Sequence, residues 1–189
     1  FTTKKPNRMK NIVKYFVLFL FIFVVSCKKD YMPIYDAGTM EHGSMSACRN
    51  GDKWKASGEA VGLLQTDSLF NIEGTTFIYI EQDTFAVEGL SIGHLPFKEG
   101  KYNLKGFDLN DIQTPYAYMF IVDYDVIIEQ YHLDKDKESW VELTKVDTIN
   151  RRIEGCFEIY LAVDEPKFSA MHADKLCFKK GEFAVDLLP

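Results

Sequence analysis

Alternation of apolar and polar residues dominates the second half of the chain. In "RRIEGCFEIYLAVD" at 151–164 the period is two, which predicts a half-buried β-strand. Its apolar face carries Ile153, Gly155, Phe157, Ile159, Leu161 and Val163. The C-terminal segment "KLCFKKGEFAVDLL" predicts a hairpin around Lys180-Gly181, with one apolar face made by Leu176, Phe178, Phe183, Val185 and Leu187.

Short strands also account for the rest of the domain. Asn50-Gly51 is the strongest short hairpin signal, and it precedes Trp54. Gly, Asn, Asp and Pro separate further strand candidates at 59–65, 69–72, 76–80, 85–92, 101–104, 116–124, 127–132 and 140–146. No window shows a long amphipathic helical pattern. The pattern predicts an all-β fold, specifically an antiparallel β-sandwich, with a closed lipocalin-like β-barrel as the alternative.

The N-terminus has a different pattern, which resembles a secretory signal. The apolar run from Tyr15 to Val25 follows five basic residues and is shorter than the roughly 20 residues that a spanning helix needs. "VVSC" before two lysines resembles a bacterial lipobox, so we expect residues 1–26 to be a signal-peptide helix that is removed. Cys27 would then be lipidated and anchor the protein in the membrane. The alternative is an uncleaved anchor helix.

The mature chain should consist of a lipidated tether and one domain. Residues 27–45 mix Pro, Gly and charges without either period, which predicts a flexible tether, and residues 46–189 form the all-β domain. Removal of 1–26 leaves 17 of the 22 basic residues against all 28 acidic ones, a net charge of 17 − 28 = −11. Such a charge argues against nucleic acid as a partner and favours neutral or basic ones.

Candidate chemistry is sparse. An odd number of cysteines remains in the domain; we favour unpaired thiols and leave open a disulfide between Cys156 and Cys177 if their strands are neighbours. The four histidines are scattered and lack the spacing of metal ligands. "HLDKDKE" at 132–138 has alternating carboxylates but no central Gly, so we interpret it as a solvated hairpin tip rather than a calcium loop. Since there is also no catalytic motif, we expect no enzyme, no cofactor and no metal.

Aromatic residues cluster in the middle of the domain. Tyr118 and Tyr124 share strand parity with Phe120 and Val122. Because a sandwich of this size needs large inward side chains, we assign this parity to the core rather than to an exposed sugar-binding face.

Three short motifs carry a family resemblance. "NGDKW" at 50–54, "GCF" at 155–157 and "GEF" at 181–183 resemble a domain of small uncharacterised Bacteroidota lipoproteins, which has Asn-Gly-x-x-Trp and then Gly-x-Phe twice. The resemblance implies a lipid-anchored all-β domain and does not indicate an activity. We therefore expect an outer-membrane lipoprotein, facing the periplasm or the cell surface, that acts as a non-catalytic binding or assembly module. Its partner would be an envelope protein or a glycan, docked at an edge strand or at end loops. The alternatives are a lipocalin-like carrier of a small apolar ligand and, less favoured, an envelope hydrolase.

Overall fold

Ten β-strands make up the regular structure of the described chain. The computed structural model describes residues 41–63, 68–80, 83–108, 111, 113–123, 126–164, 166–167 and 172–188. These residues all lie in the compact unit Pro33–Pro189. The strands are β1 (Gly43–Arg49), β2 (Asp52–Gly62), β3 (Leu69–Ile80), β4 (Asp83–Pro96), β5 (Gly100–Asn103), β6 (Tyr116–Asp123), β7 (Val126–Leu133), β8 (Trp140–Asp147), β9 (Arg152–Val163) and β10 (Lys175–Leu188).

All ten strands belong to one mixed sheet whose pairings close in a ring. Hydrogen-bonded neighbours lead through β1, β2, β3, β4, β6, β7, β9 and β10 and return to β1, while β8 and β5 extend from β9. These pairings are antiparallel, apart from a parallel contact in which Leu187 and Leu188 of β10 meet β2 directly at Ala60 and Val61. The prediction of an all-β fold is confirmed.

Large side chains fill the core. The largest fully buried ones include Trp54, Phe70, Tyr131, Phe157 and Phe178. The residues that sequence alternation places inside are buried in one cluster, which confirms this part of the predicted core: Trp54, Phe157, Ile159, Leu161, Phe178, Phe183 and Val185. The alternation of β9 therefore identifies its inward face correctly.

The first hairpin forms at the predicted turn. Asn50 and Gly51 both have positive φ, of 51° and 98°, as a two-residue hairpin loop requires. The Asn50 side chain also joins β10, because its Oδ1 accepts from the Cys177 amide at 2.7 Å. Strand β1 begins at Gly43, inside the range expected to be tether, and its Met45 is fully buried.

Two strands are longer than the sequence suggests. The predicted hairpin at Lys180-Gly181 is wrong, because β10 is continuous and contains a register shift between Phe178 and Gly181 against β9. Lys180 has a φ of 51°, and the extra residue at this bulge explains why the inward parity changes along the strand. Strand β3 likewise continues through Gly74, where an added Cβ would lie 2.5 Å from Met45 Sδ.

Strands β7 and β8 lie along the same edge of β9 and do not form the expected hairpin. β7 pairs with β9 at 161–163 and β8 pairs with it at 152–158. Between them, the Asp134 amide donates to the Tyr160 carbonyl at 2.9 Å, and the Tyr160 amide donates to Ser139 Oγ at 3.0 Å. Residues 135–138 therefore form a loop whose flanking residues, Asp134 and Ser139, are both hydrogen-bonded to Tyr160 of β9.

Candidate functional site

An aromatic ladder lies on the outer face of β6. Tyr116, Tyr118 and Phe120 share the face opposite the core residues Ala117 and Met119. Tyr118 and Phe120 are half-buried, and Tyr116 is only 6% exposed. The ring centroids are 5.8 Å apart for the two tyrosines and 6.2 Å apart for Tyr118 and Phe120. The parity predicted for Tyr118 and Phe120 is therefore wrong, since Ala117 and Met119 fill the core side of β6. Tyr124 lies outside the described residues.

Glycines on β4 form the floor of this aromatic ladder. Gly93 is opposite Tyr116 and Gly89 is opposite Phe120 across the β4–β6 pairing. A Cβ at Gly93 would lie 2.3 Å from Tyr116 Cζ, and one at Gly89 would lie 2.2 Å from Phe120 Cζ. The rings of Tyr116 and Phe120 therefore pack directly against the backbone of Gly93 and Gly89. Their rotamers are constrained by this close contact, so the ladder is preorganised.

Phe107 extends the aromatic surface beyond the strand. Its ring is 4.8 Å from that of Tyr116 in an edge-to-face arrangement, and 44% of the residue is exposed. His94 packs against the same tyrosine at 4.7 Å. Its φ of 57° and a backbone hydrogen bond of 3.1 Å to Asn71 Oδ1 turn the chain at this point of β4. Ring contacts are therefore continuous from Phe120 to Phe107, with the buried Tyr116 beneath the exposed Phe107.

A carboxyl group with a raised pKa lies beside the aromatic ladder. Ser91 Oγ donates to Glu73 Oε1 at 2.8 Å. Burial raises the pKa of Glu73 to about 7; the Ser91 hydrogen bond opposes this change and the Glu59 carboxylate adds to it. Burial also raises the pKa of Tyr118, and the charge of Glu73 contributes. Near neutral pH the Glu73 carboxyl can therefore be a donor as well as an acceptor of hydrogen bonds.

A cleft of about 550 Å³ adjoins the aromatic surface at Phe107. Lys105, Lys135 and Lys137 line it, and we call it the lysine cleft. His132 also lines it and is the β7 partner of Tyr118 on β6, so the cleft and the ladder lie on neighbouring strands. Its volume is within the range of small-molecule sites.

A second polar cluster lies among inward-facing residues. Glu88 Oε2 accepts from Arg49 Nη1 at 2.7 Å and from Trp54 Nε1 at 3.3 Å, and Thr76 Oγ1 is 3.4 Å from the same oxygen. Tyr131 donates its hydroxyl to the Ala173 carbonyl at 2.9 Å. We assign this cluster a structural role, because Glu88 satisfies the indole of the largest core residue.

The residues proposed from sequence do not meet at a common site. Cys27 and residues 1–26 lie outside the described residues. Cys156 and Cys177 are on neighbouring strands, but the structure does not bring them together: Cys156 is opposite Glu182, and Cys177 is opposite Tyr160. Burial raises the pKa of the Cys156 thiol, and the carboxylates of Glu142 and Glu182 add to this effect. Over the described ranges, no cluster of three or more His, Cys, Asp or Glu suits a metal ion, and no helix is long and apolar enough to span a membrane.

Sequence reasoning missed the aromatic ladder and the lysine cleft. Every position from Tyr116 to Val122 is apolar, so β6 has no alternation that would reveal its outer face. A usable signal was the matching spacing of Gly89 and Gly93 with Phe120 and Tyr116, but it requires the strand register. Comparison with known proteins gives no match to this chain among family models, curated proteins or solved structures.

Proposed function

We propose that this chain is a lipid-anchored, non-catalytic module of the cell envelope that binds a glycan on the outer face of β6. The observation that carries the proposal is the aromatic ladder. Tyr118 and Phe120 are half-buried on a rigid floor with ring centroids 6.2 Å apart, and the buried Tyr116 continues the row 5.8 Å from Tyr118. The C–H faces of pyranose rings are apolar and pack favourably on aromatic rings.

Polar groups beside the ladder support a sugar rather than a purely apolar ligand. Glu73 and Asn71 are half-buried on β3, one strand beyond β4, and provide a carboxyl and an amide group near the rings, while the buried Ser91 on β4 holds the Glu73 carboxyl through its hydrogen bond. Sugar hydroxyls need such partners once water leaves them. Their arrangement around half-buried aromatics resembles the general pattern of a specific binding site.

The filled core favours surface binding over carriage of an internal ligand. A lipocalin-like carrier keeps a cavity inside its strands, whereas here Trp54, Tyr131 and Phe157 occupy the interior. The proposal also uses a sheet face instead of an edge strand, because the aromatic ladder lies on β6, which pairs with β4 on one side and β7 on the other. Lipidation at Cys27 would hold this face near the membrane on a tether.

The test is binding of neutral oligosaccharides to the full chain in detergent micelles. Hexaoses of cellulose, xylan, mannan and α-glucan are titrated by calorimetry against the wild type and Tyr118→Ala. Loss of a central aromatic contact should weaken binding of the preferred hexaose by more than about fivefold, corresponding to more than about 1 kcal/mol. Trp140→Ala is the matched control, because Trp140 is an aromatic residue of β8 whose ring is covered by the Lys101 ammonium at 3.8 Å.

Two results would reject the proposal. One is that no hexaose binds. The other is that Trp140→Ala and Tyr118→Ala weaken binding equally, since the ladder would then have no special role.

A further inference from the structure

We infer that the lysine cleft receives an anionic substituent of the bound glycan, so that the site prefers sugars bearing carboxylate or sulfate groups. This inference rests on the proposed glycan binding and adds the chemical class of the ligand. Its first support is position. Lys105 forms a bridge with Tyr116 at the end of the aromatic ladder, and Phe107 contacts Tyr116 while lining the cleft. A sugar unit that follows those on the ladder would therefore lie at the cleft.

Charge is the second support. The cleft also contains two carboxylates, but each has a cationic or imidazole partner: Asp134 is 2.7 Å from Lys175 Nζ and Asp164 is 2.9 Å from His132 Nε2. Lys105, Lys135 and Lys137 form no ion pair within 4 Å in the described part of the chain, although Asp111 is near Lys105 and Asp134 is near Lys137. The cleft is thus locally positive in an acidic protein.

The loop that carries two of these lysines is well defined. Asp134 Oδ1 accepts from the Asp136 amide at 3.1 Å, and the Asp134 carbonyl accepts from the Lys137 amide at 3.1 Å. Asp134 itself is buried, and its hydrogen bond with Lys175 holds the pKa of the carboxyl below its usual range. The hydrogen bonds of Asp134 and Ser139 to Tyr160 fix the ends of loop 135–138 on β9, which limits the entropy lost when a ligand binds.

The net charge of the whole chain does not determine whether the lysine cleft binds an anion. The mature chain carries a net charge of 17 − 28 = −11, which disfavours polyanions at long range. At physiological ionic strength the screening length is about 8 Å, so charges within the cleft dominate for a bound substituent. An anionic group in the cleft would meet three lysines together with the two carboxylates Asp134 and Asp164, each of which already has a partner.

The experiment compares one oligosaccharide with and without its charge. Tetragalacturonate and its fully methyl-esterified form are titrated against the full chain in detergent micelles. We expect the charged form to bind more tightly, with an affinity that falls as salt increases, whereas the ester should show little salt dependence. In Lys105→Gln/Lys137→Gln the Kd for tetragalacturonate should rise roughly tenfold, and that of the ester should change less than about twofold.

The control variant removes the same net charge elsewhere. Lys53→Gln/Lys180→Gln replaces two exposed lysines outside the cleft, and it should leave both Kd values within about twofold of wild type. If this control weakened tetragalacturonate binding as much as the cleft variant does, general charge would explain the preference and the inference would be rejected.

Failure of the inference and failure of the proposed function give different results. Equal binding of both forms, sensitive to Tyr118→Ala but not to the lysine replacements, overturns the inference and leaves glycan binding intact. Inorganic sulfate is the third probe, followed by NMR. Lysine-dependent binding of sulfate without binding of either oligosaccharide rejects the glycan function while showing that the cleft takes anions. No response to any of the three probes rejects both.

Discussion

Replacing Glu73 with Gln should stabilise the protein at neutral and alkaline pH but not in acid. The pKa of Glu73 is raised from 4.5 to about 7, chiefly by burial. Between these values the folded protein keeps a proton that the unfolded chain has released, so the stability of the wild type falls as pH rises through this window. Above pH 7 the Glu73 carboxyl is ionised in both the folded and the unfolded chain, so the full cost of burying its charge remains.

The size of the effect follows from the pKa change. A change from 4.5 to about 7 corresponds to up to about 3 kcal/mol, and partial exposure of the side chain will reduce it. Gln is isosteric and retains an oxygen that can accept from Ser91, so the hydrogen bond of 2.8 Å need not be lost. Glu73→Gln should therefore exceed wild-type stability at pH 8 and match it near pH 4.

Urea denaturation of both proteins at intervals from pH 4 to pH 8 measures this difference. Glu99→Gln is the control, because Glu99 is an exposed carboxylate outside the site, and its difference from wild type should be small and nearly constant. If Glu73→Gln is less stable than wild type at pH 8, or if its advantage does not grow with pH, then burial of this carboxylate is not costly and the reasoning is refuted.

Three further changes test the fold, the ladder and the anchor. Phe157→Ala should lower the free energy of unfolding by about 3–5 kcal/mol in urea denaturation, because a fully buried ring is lost, while Phe107→Ala at a surface position should cost much less; equal costs would show that the faces are misassigned. Gly89→Ala should displace Phe120, costing about 1–3 kcal/mol and weakening hexaose binding, whereas Gly62→Ala, with open space around it, should leave hexaose binding unchanged. Cys27→Ser should move the protein out of the membrane fraction in cell fractionation; retention there together with an uncleaved N-terminus would favour an anchor helix.

Local patterns in the sequence were sufficient for some elements of the fold. The Asn50-Gly51 turn has a conformation that few other residue pairs adopt, so it was predictable from two positions. Strand β9 was predictable because one face is buried and the other is polar. In β10 the inward-facing residues were predicted correctly on both sides of Lys180. A hairpin turn and a β-bulge would shift the inward face in the same way, and only the pairing with β9 shows that this strand contains a bulge.

The candidate site depends on contacts between distant segments. Tyr116 and Phe120 lie on the outer face, where β4 places Gly93 and Gly89 opposite them, and no property of β6 alone encodes this. Similarly, Lys105 and Lys137 are far apart in sequence and line one cleft because β7 and β8 share the edge of β9. Strand register, which sequence patterns determine weakly in apolar strands, is therefore what the prediction lacked.

The loop at 135–138 also has a consequence for engineering. Both residues that flank the loop are hydrogen-bonded to Tyr160 of β9. A longer or shorter loop can therefore replace residues 135–138 without a change in the register of any strand. Loop exchange would alter the charge and depth of the cleft while the aromatic ladder stays in place. The ligand preference of this sheet can thus be changed by replacing one segment, the loop 135–138.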